Sequence, residues 1–133
     1  VTAARVEKVY PDTLRAREFL DQAEMHLQDA SRGELHAPST VILLHSATVA
    51  ACDAILQAVG LRVTPGDRAH VLRIETALDQ LGGDTEDLLE QLDASREPRN
   101  EASYAVSFVA QASVADAREA TAELLALVRS FLG

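Results

Sequence analysis

Apolar residues recur along this chain at spacings of three and four, the period of a helix that hides one face. From Pro11-Asp12-Thr13 onward, Ala16, Leu20, Ala23, Leu27 and Ala30 form one such stripe, which predicts a first amphipathic helix ending near Gly33. Ser39 is a good N-cap for "TVILLHSATVAACDAILQAV" and Gly60 a good C-terminal stop, so a second helix is expected between them. Between residues 41 and 59 only His45, Ser46, Thr48, Asp53 and Gln57 are polar. This helix is therefore apolar nearly all round, and it is expected to be the most buried. Its length also suits a membrane span, but Asp53 near its middle and its many alanines favour a central core helix and no membrane.

In "TPGD", Thr64 offers an N-cap, Pro65 fits the first helical position and Asp67 lies three residues past the cap, predicting a third helix through Leu81 that Gly82-Gly83 ends. Asp84 or Thr85 starts a shorter helix to about Ala94, and Pro98 interrupts before a further turn containing "RNEASY". "AVSFVAQA", residues 105–112, reads equally as an extension of that turn or as coil. Ser113 with Asp116 has the pattern of a capping box, and Val114, Ala117, Thr121, Leu124, Val128 and Phe131 repeat at helical period after it. No segment alternates as a half-buried strand does. The expected fold is all-α, an antiparallel up-and-down bundle of four main helices plus short helices, in one domain over 1–133.

Composition agrees with a folded soluble domain, with 47% apolar and 25% charged residues. The net charge of −9 removes the generic attraction to nucleic acid, so any contact with RNA must be local. Much of the acid lies in "DTEDLLEQLDASRE", where Asp84, Glu86, Asp87, Glu90, Asp93 and Glu97 read as a solvated helix face or as a docking face for a basic partner. A single cysteine, Cys52, leaves no intrachain disulfide and fits a reducing setting. Arg5, Glu7 and Lys8 interrupt what a secretory signal would need as an unbroken apolar core, so no targeting segment and a cytoplasmic location are expected.

Candidate chemistry narrows quickly. His26, His36, His45 and His70 never fall three or four apart and no Glu-x-x-His pair exists, so no metal site is expected. "LGGD" lacks the lysine of a phosphate-cradling loop, nothing marks a serine triad, and no cofactor is implied. Inside the apolar helix, His45, Asp53 and Gln57 can lie near one face, either as a structural hydrogen-bond set, as a dimer contact, or as part of a polar cleft. In "REPRNEASY", residues 96–104, Pro98 fits a first helical turn, which places Arg99 and Asn100 where free backbone N–H groups favour an anion. Asn100 and Tyr104 are four apart and share a face. Arg96, Arg99, Asn100 and Tyr104 thus make a candidate phosphate or nucleotide site; the alternative is a helix start whose arginine bonds the acidic helix before it.

Arg96-Glu97-Pro98-Arg99-Asn100-Glu101-Ala102-Ser103-Tyr104, preceded by "LLEQLDAS" and followed by a long final helix, resembles the HEPN domain (higher eukaryotes and prokaryotes nucleotide-binding). The likeness runs back through "LLHSATVAACDAILQAVG" and through His70 in "DRAHVLRIETAL", covering about residues 12–132. It implies a dimerising bundle in which the Arg-Asn motifs of two subunits meet in a cleft. Many relatives are metal-independent endoribonucleases, often the toxin of a toxin-antitoxin pair whose partner is a small nucleotidyltransferase; others only bind. The catalytic form of the motif places a histidine a few residues beyond the arginine, whereas Tyr104 stands there and no histidine follows His70. Metal-free cleavage needs a base for the ribose 2′-hydroxyl, and an ordinary tyrosine is ionised only about one part in a thousand at neutral pH. Arg99, Asn100 and Tyr104 are the catalytic candidates, with His45 or His70 as substitutes for the missing base and with Asp53 in support.

Overall fold

The computed structural model of the chain describes residues 2–32, 36–92 and 111–133, the side chains of 111–113 excepted. These residues are mostly helical, with five helices packed on one another and a small two-stranded sheet. In chain order they are β1 (Val6–Lys8), α1 (Thr13–Ala30), α2 (Ala37–Val59), β2 (Leu61–Val63), α3 (Ala69–Leu81), α4 (86–92) and α5 (Gln111–Leu132). The sheet corrects the all-helical expectation. β1 pairs antiparallel with β2, Val6 opposite Val63 and Lys8 opposite Leu61. Strands of three residues are too short for alternation to register as a pattern.

Local chemistry explains most element ends. The Asp12 carboxylate accepts the Arg15 N–H at 2.9 Å and caps α1. Gly60 adopts a left-handed conformation (φ 79°, ψ 47°) and its N–H donates to the Leu56 carbonyl, closing α2 as the sequence predicts. The start of α2 differs: the helix begins at Ala37 with His36 as N-cap and Pro38 in the first turn, so Ser39 is already helical. Thr64 is not the cap of α3 either. Its N–H donates to the Arg5 carbonyl and its hydroxyl accepts the Arg5 N–H, which extends the strand pairing by one residue. The sheet thereby claims the "TPGD" segment, and α3 starts only after Arg68. Gly82 caps α3 as expected. Helix α5 is under way from Gln111, which puts Ser113 inside it instead of at its cap.

Apolar faces follow the sequence stripes closely. Ala16, Leu20, Ala23 and Ala30 of α1 are buried, as are Val114, Ala117, Thr121, Leu124 and Val128 of α5, while Phe131 stays exposed. Helix α2 carries the largest buried set and packs on α1, α3, α5 and β2. Among the described residues it is the one helix long and apolar enough to cross a membrane, and most of that window is buried inside the fold. Two threonines enter its packing: Thr48 and Thr121 bring their hydroxyls to 3.4 Å, and each hydroxyl donates to the carbonyl one turn back on its own helix. No polar hydrogen is stranded there.

Arginines brace α1 against α5 at both ends. Arg17 donates to the carbonyls of Leu132 and Gly133, and Arg118 donates to the Ala30 carbonyl at the end of α1. A guanidinium beside the unsatisfied carbonyls of a helix C-terminus offsets the negative end of its dipole. Arg129 adds an ion pair to Glu24 between them.

At Gly60 an added Cβ would lie 2.5 Å from the Val9 carbonyl oxygen and against the Pro11 ring, whereas at Gly83, also at positive φ, it would meet nothing within 4 Å. Both alanine variants carry the left-handed backbone cost of about 1 kcal/mol. Gly60→Ala must also displace the segment leading into α1, so its total is expected to exceed about 2 kcal/mol. Urea midpoints of the two variants measured side by side check the difference.

Candidate functional site

The four residues of the candidate phosphate site, Arg96, Arg99, Asn100 and Tyr104, lie outside the described residues, as do Asp93 and Glu97 of the acidic run and residues 105–110. His45, Asp53 and His70 are described, and each meets a side chain across the junction of α2 and α3, His45 with His70 and Asp53 with Arg73. The rings of His45 on α2 and His70 on α3 stack with centroids 4.6 Å apart and planes tilted by 30°. Eight residues further along α2, Asp53 receives Arg73 of α3, whose Nε lies 3.3 Å from Oδ1. Eight residues of helix rise about 12 Å and three about 4.5 Å.

Beside this junction a cleft of about 260 Å³ opens between α1 and α2. Phe19, Gln22 and His26 line it from α1, at spacings of three and four; His45, Ser46, Val49, Ala50 and Asp53 line it from α2. Its walls are thus part apolar and part hydrogen-bonding, the mixture that small-ligand sites use, although it is smaller than the usual ligand pocket of about 300 Å³ or more. The Arg15 guanidinium lies over the Phe19 ring at 4.9 Å. Among the described residues no group of three or more histidine, cysteine or acidic side chains has a geometry that could hold a metal ion.

Burial governs the protonation of this region. The Asp53 carboxyl is held above its ordinary pKa because burial penalises the charged form, and the attraction of Arg73 offsets only part of that penalty. Its neighbour Cys52 is fully buried, and its thiol is pushed up to about 12 by burial first and by the Asp53 charge second, against the pull of Arg73. A thiol so reluctant to ionise is neither a nucleophile nor a metal ligand at neutral pH.

Sequence reasoning finds His45, Asp53 and His70 but misses Arg73 and His26. The signal for Arg73 is its position three residues after His70, a polar pair on one side of a helix whose Ile74, Ala77 and Leu78 are buried. For His26 it is helical register with the cleft's other α1 residues, four beyond Gln22 and seven beyond Phe19, on the flank of the apolar stripe. A second cleft, of about 360 Å³, is acidic: Glu75 and Asp79 of α3 face Asp84 and Glu86 across it, with Leu78 and Leu89 as its apolar part. Asp84, Glu86, Asp87 and Glu90 are all exposed.

Arg73→Met removes the charge that opposes burial at Asp53, so the carboxyl keeps its proton to higher pH. A carboxyl whose folded pKa exceeds its unfolded value binds more protons in the folded state across that window, and stability falls as pH rises through it. The variant is expected to trail the native protein least near pH 4 and most near pH 7, where the added loss is about 1–2 kcal/mol because both side chains retain some water. Urea midpoints across that range give the answer; a deficit that does not change with pH would mean that the two groups do not interact electrostatically.

No family model matches this chain, and comparison with the curated proteins and with the solved structures finds no match.

Proposed function

We propose that the chain is a HEPN-like nucleotide- or RNA-binding homodimer, an antiparallel up-and-down bundle with weak or no catalysis, in which Arg96, Arg99, Asn100 and Tyr104 grip a phosphate group. The observation that carries this reading is the "REPRNEASY" element itself, with arginine and asparagine adjacent after a proline and positioned in the chain between α4 and α5. The order of helices is consistent with it, and so are the two polar contacts between α2 and α3, His45 with His70 and Asp53 with Arg73. Tyr104 in place of the motif histidine favours binding over fast cleavage, since an ordinary phenol is a poor base at neutral pH.

A second reading is a metal-independent endoribonuclease toxin with a nucleotidyltransferase antitoxin as partner. The stacked His45 and His70 favour it, because imidazoles are suited to the proton transfers that Tyr104 performs poorly. A third is a protein-interaction module that docks a basic partner through its acidic short helix; Asp84 and Glu86 of that acidic run line a cleft together with Glu75 and Asp79 of α3, which favours it.

Incubation with labelled RNA in EDTA, alongside nucleotide binding, separates the three. The binder loses nucleotide affinity by about tenfold or more in Arg99→Ala and shows no cleavage. The toxin cleaves, and loses activity in Arg99→Ala and in a His45→Ala or His70→Ala variant. Absence of both activities leaves the docking module. The mass in solution tests the dimer, and a monomer would remove a cleft shared between two subunits.

A further inference from the structure

The cleft between α1 and α2 is drawn out along the two helices. One wall runs from Phe19 to His26 and the other from His45 to Asp53, stretches that rise about 10 Å and about 12 Å. A volume of about 260 Å³ spread over that length makes a slot suited to an extended chain and not to a fused ring system. The helices are antiparallel, with the Asp12 N–H donating to the Gln57 carbonyl, so the two ends of the slot carry different residues. Phe19 and Asp53 line one end, His26, His45 and Ser46 the other, and Val49 and Ala50 lie between them.

The chemistry of this lining is that of an acceptor. No lysine or arginine belongs to it among the described residues. The Asp53 side chain is only 29% exposed, and Arg73 stands 3.3 Å from it as an ion pair, yet no donor among the described residues gives its carboxylate a hydrogen bond. A carboxylate so far withdrawn from water is stabilised by an N–H donor, and the cleft gives one access to it. At the far end Ser46 donates its hydroxyl hydrogen to the Ile42 carbonyl, which leaves the oxygen able to accept. His26 has no hydrogen bond among the described residues, and a neutral imidazole offers one acceptor nitrogen. The nearby Arg15, over the Phe19 ring, is itself paired with Glu18. A net charge of −9 draws small cations toward the chain as a whole.

We propose that the α1–α2 cleft binds a linear aliphatic diamine, with one ammonium on the Asp53 carboxylate, the other at Ser46 and His26, and the methylenes between them against Phe19, Val49 and Ala50. Methylene stems pack on apolar surface while their charged ends keep polar partners, which is the division this lining provides. The site uses α1 and α2 alone, so it stands or falls apart from the Arg99-Asn100 reading.

The test is a titration of the full chain with cadaverine at about pH 8, where imidazoles are neutral and amines charged, at ionic strength held constant with sodium chloride. Backbone ¹⁵N NMR should show saturable shifts at Gln22, Ser46 and Asp53. Asp53→Asn, which keeps the shape and loses the charge, is expected to raise the dissociation constant by about tenfold or more. Pentylamine, the same chain with one ammonium, should bind the native protein about tenfold more weakly than cadaverine. His26→Ala should weaken cadaverine by about threefold or more and leave pentylamine unchanged. Val49→Phe, which fills the slot without altering charge, should abolish binding of both amines and decides the matter if Asp53→Asn does not fold. The proposal is overturned if the shifts do not saturate, if tetramethylammonium reproduces them, if they centre on Glu75 and Asp79, if pentylamine binds as tightly as cadaverine, or if folded Asp53→Asn or Val49→Phe binds as the native protein does.

Discussion

A helix that is apolar on nearly every side must be covered on nearly every side, and that requirement of α2 organises the protein. Ala47, Ala51, Cys52, Ala54 and Ile55 are shut off from solvent completely, and α1, α3, α5 and β2 all take part in covering the helix. Small residues dominate this list, which lets the neighbouring helices approach closely. Polar side chains on such a helix have two options. Thr48 uses the first, returning its hydroxyl to its own backbone deep in the packing. His45 and Asp53 use the second, sitting where the cover from α1 and α3 leaves a cleft.

The cost of that second option explains the chemistry of the junction. A carboxylate half withdrawn from water needs a cation, and Arg73 supplies one, its Nε 3.3 Å from Oδ1. The contact is too slight to overcome burial, so the carboxyl still favours its proton more than an ordinary one does. Apolar residues in these positions would pack at less cost.

Legibility of the sequence divides along physical lines. The long stripes of α1 and α5 are readable because they repeat, and Gly60 because a left-handed residue at the end of an apolar run leaves few alternatives. Thr64 misleads because the capping pattern is local, whereas its real partner, Arg5, is far away in the chain. Two three-residue strands carry no periodic signal at all. At the site, His45 and Asp53 are visible as polar residues in an apolar helix, and their contacts are not, since stacking on His70 and pairing with Arg73 depend on how α3 packs against α2. The Arg-Asn element is the most informative stretch chemically, and it falls outside the described residues.

The hairpin of α1 and α2 is fastened at the end opposite its loop. Asp12 gives its N–H to the Gln57 carbonyl and Val9 gives its own to Gly60, so backbone bonds tie the head of the first helix to the tail of the second. The gap lined by Phe19 and Val49 therefore lies between two helices that the backbone itself joins near Gln57, with Gln22, His26 and Ser46 among the side chains that complete its walls.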